Sequence, residues 1–123
     1  MSTDYLFTYG LLKRKHHKLL PFSLATTFFG EAYTTGSLYQ IADYPGIKLT
    51  GNSKVFGEIH SVNKNFNWLQ MDEFEHASPT IKVKPEYRRI RTICFIGMKE
   101  YECWIYEYLG HVAQSNLINN GVF

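Results

Sequence analysis

The sequence predicts an α+β domain built on a strongly curved sheet or small barrel, and three observations carry that prediction. From Phe28 onward, short segments of strand-forming residues alternate with glycines. Tyr87 to Ile96 and Tyr101 to Tyr108 are two strand-like runs flanking Gly97-Met98-Lys99-Glu100, which is the pattern of a hairpin. Helical text is short and scattered, so helices accompany the sheet without alternating regularly with its strands.

Taken in order, Tyr5 to Tyr9 is a first strand rich in aromatic residues, and it stops at Gly10. Lys13 to Leu20 forms a short helix that Pro21 ends. Ala32 to Leu38 is a strand with Gly30 and Gly36 as its punctuation, and Tyr44-Pro45-Gly46 is a turn. Val55 to Val62 places apolar residues at both alternating sets of positions, as a strand covered on two faces does. Asn65 caps a helix from about Phe66 to Glu75. The hairpin follows; folded about the centre of its four-residue turn, it sets Cys94 opposite Cys103. A cross-strand disulfide is then conceivable, although two packed thiols suit a reducing cell better.

The chain has 123 residues and no repeat, low-complexity stretch or linker, so residues 1–123 are predicted to form one domain. With 45% hydrophobic and 16% aromatic residues, it can fill a core of its own. A formal charge of +2 is too small to argue for nucleic acid or an anionic membrane. Two cysteines make no disulfide framework. Met1-Ser2-Thr3-Asp4 begins no basic-then-apolar signal region, and every apolar run is shorter than a bilayer span. The expected location is cytoplasmic.

Three features bear on chemistry. Phe7-Thr8-Tyr9-Gly10-Leu11-Leu12 is a strand entering a glycine turn, whose free amides suit a carboxylate or an oxyanion. The same text also describes an ordinary turn. Asp72-Glu73-Phe74-Glu75 closes the candidate helix, where carboxylates oppose the helix dipole. Glu75 shares a stripe with Trp68 and Met71, and Glu73 shares one with Phe66 and Leu69, so periodicity favours neither. A solvated helix end explains both equally well. Lys13-Arg14-Lys15-His16-His17-Lys18 lacks interleaved stacking aromatics and fits a solvated face better than a phosphate site. Its adjacent histidines diverge and make a poor metal pair. No Gly-x-Ser-x-Gly elbow and no phosphate-binding Gly-Lys-Ser/Thr loop is present.

The ordered motifs resemble the gamma-glutamyl cyclotransferase-like family, with its AIG2-like and YtfP-like members. Tyr9-Gly10-Leu11-Leu12 resembles the Tyr-Gly-x-Leu signature, and Gly36-Ser37-Leu38-Tyr39 with Tyr44-Pro45-Gly46 resembles the Gly-x-Leu-Tyr and Tyr-Pro segments. Val55-Phe56-Gly57-Glu58-Ile59, Met71-Asp72-Glu73-Phe74-Glu75 and Tyr87-Arg88-Arg89 are similar to the blocks that follow. The resemblance implies a small mixed barrel-like domain with short helices. It implies an enzyme that releases 5-oxoproline from a gamma-glutamyl amine or gamma-glutamyl amino acid, with no cofactor and no metal. It makes Glu75, not Glu73, the general base and acid. It assigns Tyr9, Gly10, Leu11 and Leu12 to the substrate.

Leu11 stands where many members carry Thr or Ser, which bears on substrate identity. Tyr87 and Arg89 alternate onto one strand face, where they line the same pocket or a solvated surface equally well. The implied partner is a small gamma-glutamyl molecule, with neither nucleic acid nor membrane. A non-catalytic binding or regulatory domain of the same fold is the alternative reading.

Overall fold

The computed structural model describes residues 4–9, 26–42, 44–64, 66, 68, 71–72 and 86–123. Among these residues are five strands: β1 (Asp4–Thr8), β2 (Thr26–Gln40), β3 (Pro45–Val62), β4 (Tyr87–Ile96) and β5 (Lys99–Tyr108). They close into a barrel in the order β1-β3-β2-β4-β5. Closure is mixed. β1 meets β5 in parallel at Leu6 and Trp104, and β3 meets β5 in parallel at Ile47 and Glu107, while the other pairings are antiparallel. Closing the sheet removes the open edges that would otherwise invite pairing with another chain.

β2 runs through both glycines that the sequence suggested as punctuation. The register slips between Phe28 and Gly30 and again between Gly36 and Ser37. At the second slip Gly36 faces Ser53 while Ser37 faces Lys48, so residues 49–52 of β3 have no register partner on β2. Such bulges bend a strand without ending it, which is how a 15-residue strand can follow a tight barrel wall. Pro45 likewise opens β3 and does not occupy a turn; a strand's first residue tolerates the missing amide. The chain reverses just before it, where the Ile41 amide donates to the Tyr44 carbonyl at 3.0 Å.

The β4–β5 hairpin closes through two residues, Gly97 and Met98, and not four. Gly97 has φ of +59°, a conformation for which a two-residue hairpin turn favours glycine. Ile96 therefore faces Lys99, Cys94 faces Tyr101, and Cys103 faces Thr92. The cysteines are diagonal neighbours, and not opposite one another as the longer turn predicted.

Both thiols are free and buried. The adjoining Cys103 thiol, with burial, holds the Cys94 thiol protonated far above its ordinary range. Because both thiols are buried, and Cys94 is also kept from its reactive thiolate form, neither cysteine is expected to react with a thiol reagent in the native protein. Both should react after unfolding in urea. Rapid labelling of either one under native conditions would show that this barrel wall opens.

Two apolar clusters divide the strands by face. Phe7, Tyr9, Ala32, Leu38, Ile47, Val55, Ile59, Cys94, Cys103 and Ile105 fill the barrel. Leu6, Val62, Phe66, Met71, Tyr87 and Tyr106 form a second cluster. Successive side chains point to opposite faces, so Leu6 and Phe7 join different clusters, as do Tyr106 and Ile105. β3 is buried at Glu58, Ile59 and His60 in succession, in keeping with the two-sided cover read from its sequence. Beyond β5 the chain includes a short 3-10 helix, Gln114–Asn116. It then returns to the barrel: the Ile118 amide donates to Leu38 and the Phe56 amide donates to Gly121, each at 2.8 Å. No sequence signal marked this return.

Candidate functional site

The site begins where β1 ends. Thr8 faces Glu58 across the β1–β3 ladder, and Gly57 adjoins it. A Cβ at Gly57 would lie 2.1 Å from the Thr8 carbonyl oxygen and 2.8 Å from the Phe7 ring. Backbone meets backbone here, so only glycine lets β3 approach the strand that leads into Tyr9. Gly57→Ala is expected to destabilise the protein by about 3 kcal/mol through overpacking, measured as a lower urea midpoint. A midpoint equal to that of the wild type would show that this approach is looser than described.

Tyr9 follows directly and is buried. Its hydroxyl donates to the Tyr106 carbonyl and accepts from the Ile47 amide at 3.3 Å. The phenol thus ties the end of β1 to β5 and β3, and these bonds are where the sequence-predicted substrate residue Tyr9 spends its hydroxyl. Gly10, Leu11 and Leu12 lie outside the described residues, as does the basic run Lys13 to Lys18 within the predicted Lys13–Leu20 helix.

The second half of the site is the segment carrying Phe66, Trp68, Met71 and Asp72. Trp68, Met71 and Asp72 are helical, as predicted; Asn65, Glu73 and Glu75 lie outside the described residues. Met71 and Phe66 pack into the second cluster. Asp72 is buried and receives a two-pronged bond from Arg89, Nε to Oδ1 at 2.8 Å and Nη2 to Oδ2 at 3.2 Å. The Tyr106 hydroxyl adds a third bond to Oδ1 at 2.6 Å. The Arg89 guanidinium also lies 4.5 Å from the Trp68 ring centre and 4.6 Å from that of Trp104. A planar guanidinium suits this combination of paired carboxylate bonds and aromatic stacking; an ammonium does not.

Tyr87 and Arg89 do share a face of β4. Tyr87 is buried, donates its hydroxyl to the Pro45 carbonyl at 2.7 Å, and meets the Tyr108 ring edge-on at 5.4 Å. Both residues predicted to line a pocket therefore hold structure together: Tyr87 joins β4 to the start of β3, and Arg89 fixes the helical segment to the barrel. Tyr106 is the residue that sequence reasoning missed. Its carbonyl holds Tyr9 and its hydroxyl holds Asp72, so one β5 residue ties down both stretches that carry the predicted site residues. Nothing in Tyr101 to Tyr108 distinguishes Tyr106 from its neighbouring tyrosines before the strands are paired. Trp68 and Trp104, which flank Arg89, likewise gain meaning only from the pairing.

Among the described residues, no group of three His, Cys, Asp or Glu side chains is placed to hold a metal ion. No helix among them is long and apolar enough to cross a membrane.

The fold is that of known structures. An AIG2-like protein from Mus musculus superposes with a TM-score of 0.73 at 21% identity, over 100% of this chain and 89% of that one. An uncharacterized protein from Pyrococcus horikoshii gives 0.67 at 19% identity, over 98% and 89%. A gamma-glutamyl cyclotransferase gives 0.63 at 19% identity, over 88% and 68%. No curated protein matches the sequence significantly. At these identities the likeness concerns the fold. The family model for "Gamma-glutamyl cyclotransferase, AIG2-like" matches residues 6–123, from the middle of β1 onward. The chain belongs to the gamma-glutamyl cyclotransferase, AIG2-like family.

Proposed function

We propose that this protein is a gamma-glutamyl cyclotransferase-type enzyme that releases 5-oxoproline from a gamma-glutamyl amine or gamma-glutamyl amino acid. The observation that carries this reading is the family match over residues 6–123, a span that includes both the Tyr9 loop and the Asp72–Glu75 segment. The convergence of Tyr9 and Asp72 on Tyr106 supports it, since the two stretches are held by one residue.

In the proposed reaction the substrate's α-nitrogen attacks its own γ-carbonyl carbon. A new C–N bond closes a five-membered lactam, and the bond from that carbon to the leaving nitrogen breaks. Nucleophile and electrophile already belong to one molecule, so binding has only to select the folded conformer. Glu75 takes the proton that the α-ammonium must lose and passes it to the departing nitrogen. Amides of the Gly10 and Leu11 turn hold the substrate carboxylate or the developing oxyanion. Asp72 and Arg89 act as positioning residues, fixing the helical segment that precedes Glu75.

The test is a panel of gamma-glutamyl dipeptides and gamma-glutamyl amines incubated with the whole chain, with 5-oxoproline measured directly. Turnover of at least one member above the uncatalysed rate is expected. Absence of 5-oxoproline across the panel, from a protein that still binds panel members, would make this a binding domain.

A further inference from the structure

The outer face of β3-β2-β4 carries an arrangement that the proposed reaction does not use. An open groove of about 440 Å³ is lined by Glu31, Tyr33, Phe56, Glu58, Phe95 and Val122, among others. Its centre is Tyr33, which faces Phe56 on one neighbouring strand and Phe95 on the other. Tyr33 and Phe95 are stacked at 5.1 Å, and the Phe56 ring is tilted against Tyr33 at 6.2 Å. Phe56 and Val122 remain 41% and 45% exposed, so the apolar wall is open to solvent.

Two carboxylates complete the lining. Glu31 and Glu58 face each other directly across the β2–β3 ladder, a placement that destabilises a sheet when both are charged. Glu58 is buried and bonded to His60 at 3.2 Å. Glu31 is exposed, and among the described residues no ion pair reaches it. The same face already draws one cation: the Lys54 ammonium lies 4.6 Å from the centre of the Tyr33 ring. Aromatic faces and carboxylates attract the same class of group, a positive charge carried on an apolar stem.

We propose that this groove binds a small aliphatic primary amine in its ammonium form. The ammonium sits between Glu31 and Glu58, and its methylenes run along Phe56 and Phe95. The groove borders the candidate site at Gly57 and Glu58, which adjoin Thr8, but none of its lining residues belongs to the Tyr9–Tyr106–Asp72 network, and its test does not involve 5-oxoproline.

The experiment is a titration of the isotope-labelled whole chain with 1,5-diaminopentane at low salt, followed by NMR. 1-Pentanol and pentanoate serve as neutral and anionic controls. Saturable shifts confined to Glu31, Tyr33, Phe56 and Phe95 are expected with the diamine alone. Glu31→Gln, at an exposed position that should leave the fold intact, is expected to weaken binding about tenfold, as the loss of one charged contact does. Phe56→Leu should weaken it several-fold by removing a ring face. Equal binding of 1-pentanol would reduce the groove to a greasy patch, and wild-type affinity in Glu31→Gln would remove the charge from its recognition. Shifts at these residues that follow protein concentration without added amine would assign the face to a second copy of the chain. Each of these three results overturns the proposal.

Discussion

Glu75→Gln is expected to lower the rate of 5-oxoproline release by about 10²- to 10⁴-fold, the usual contribution of a positioned proton-transfer group. Glutamine keeps the shape of the side chain and its capacity to accept a hydrogen bond, but it cannot take a proton. The substrate's α-amino group arrives as an ammonium and cannot attack until it loses one. Substrate binding should change little, because the γ-carbonyl and the α-carboxylate are held elsewhere in the proposed scheme, so the loss should appear in kcat and not in KM. The measurement is steady-state 5-oxoproline formation by wild type and variant on the best substrate of the panel. Glu73→Gln is the paired control, since the two carboxylates are equivalent by helical periodicity and only the resemblance separates them. Equal activity of wild type and Glu75→Gln would show that Glu75 is not the base. A larger loss in Glu73→Gln would move the assignment two residues back.

The barrel was legible in the sequence because strand text survives locally. Aromatic and β-branched runs such as Tyr5 to Tyr9 and Val55 to Val62 keep their preference wherever they pair. Pairing itself was less legible. Gly30 and Gly36 read as punctuation because a glycine in a β-pattern signals a break and a bulge alike, and only the register with β3 separates the two. The sequence also admits a hairpin turn two residues wider than the one formed, a register that would set the cysteines face to face. Gly97-Met98 and Gly97-Met98-Lys99-Glu100 are both acceptable turns, and the one chosen decides every cross-strand neighbour.

The site divided in the same way. Its motif residues are proposed from resemblance, which is a property of order along the chain. Tyr106, Trp104 and Trp68 could not be singled out, because what they do is set by which strand or helix lies beside them. Asp72 sat within a recognised block, but nothing local told that its carboxylate belongs to Arg89 and not to solvent.

That pair carries the second large effect. Asp72→Asn is expected to destabilise the protein by about 3 kcal/mol and to lower turnover with it. The Asp72 carboxylate accepts from Arg89 twice and from the Tyr106 hydroxyl once, and its side chain is only 12% exposed. Asparagine leaves the Arg89 guanidinium between two indoles without its counter-charge, and leaving one member of a buried pair unmatched costs more than the pair itself contributes. Replacing both, as in Asp72→Leu with Arg89→Met, removes both charges together and should regain much of the stability. It should not regain the activity. Apolar packing has no equivalent of the forked bond that sets the angle of the segment leading to Glu75, so kcat should remain low in the double variant while the urea midpoint recovers. The separation of these two readouts is the test. If activity returns along with stability, Arg89 and Asp72 serve the fold alone; if it stays low in a stable protein, they serve the geometry of the site.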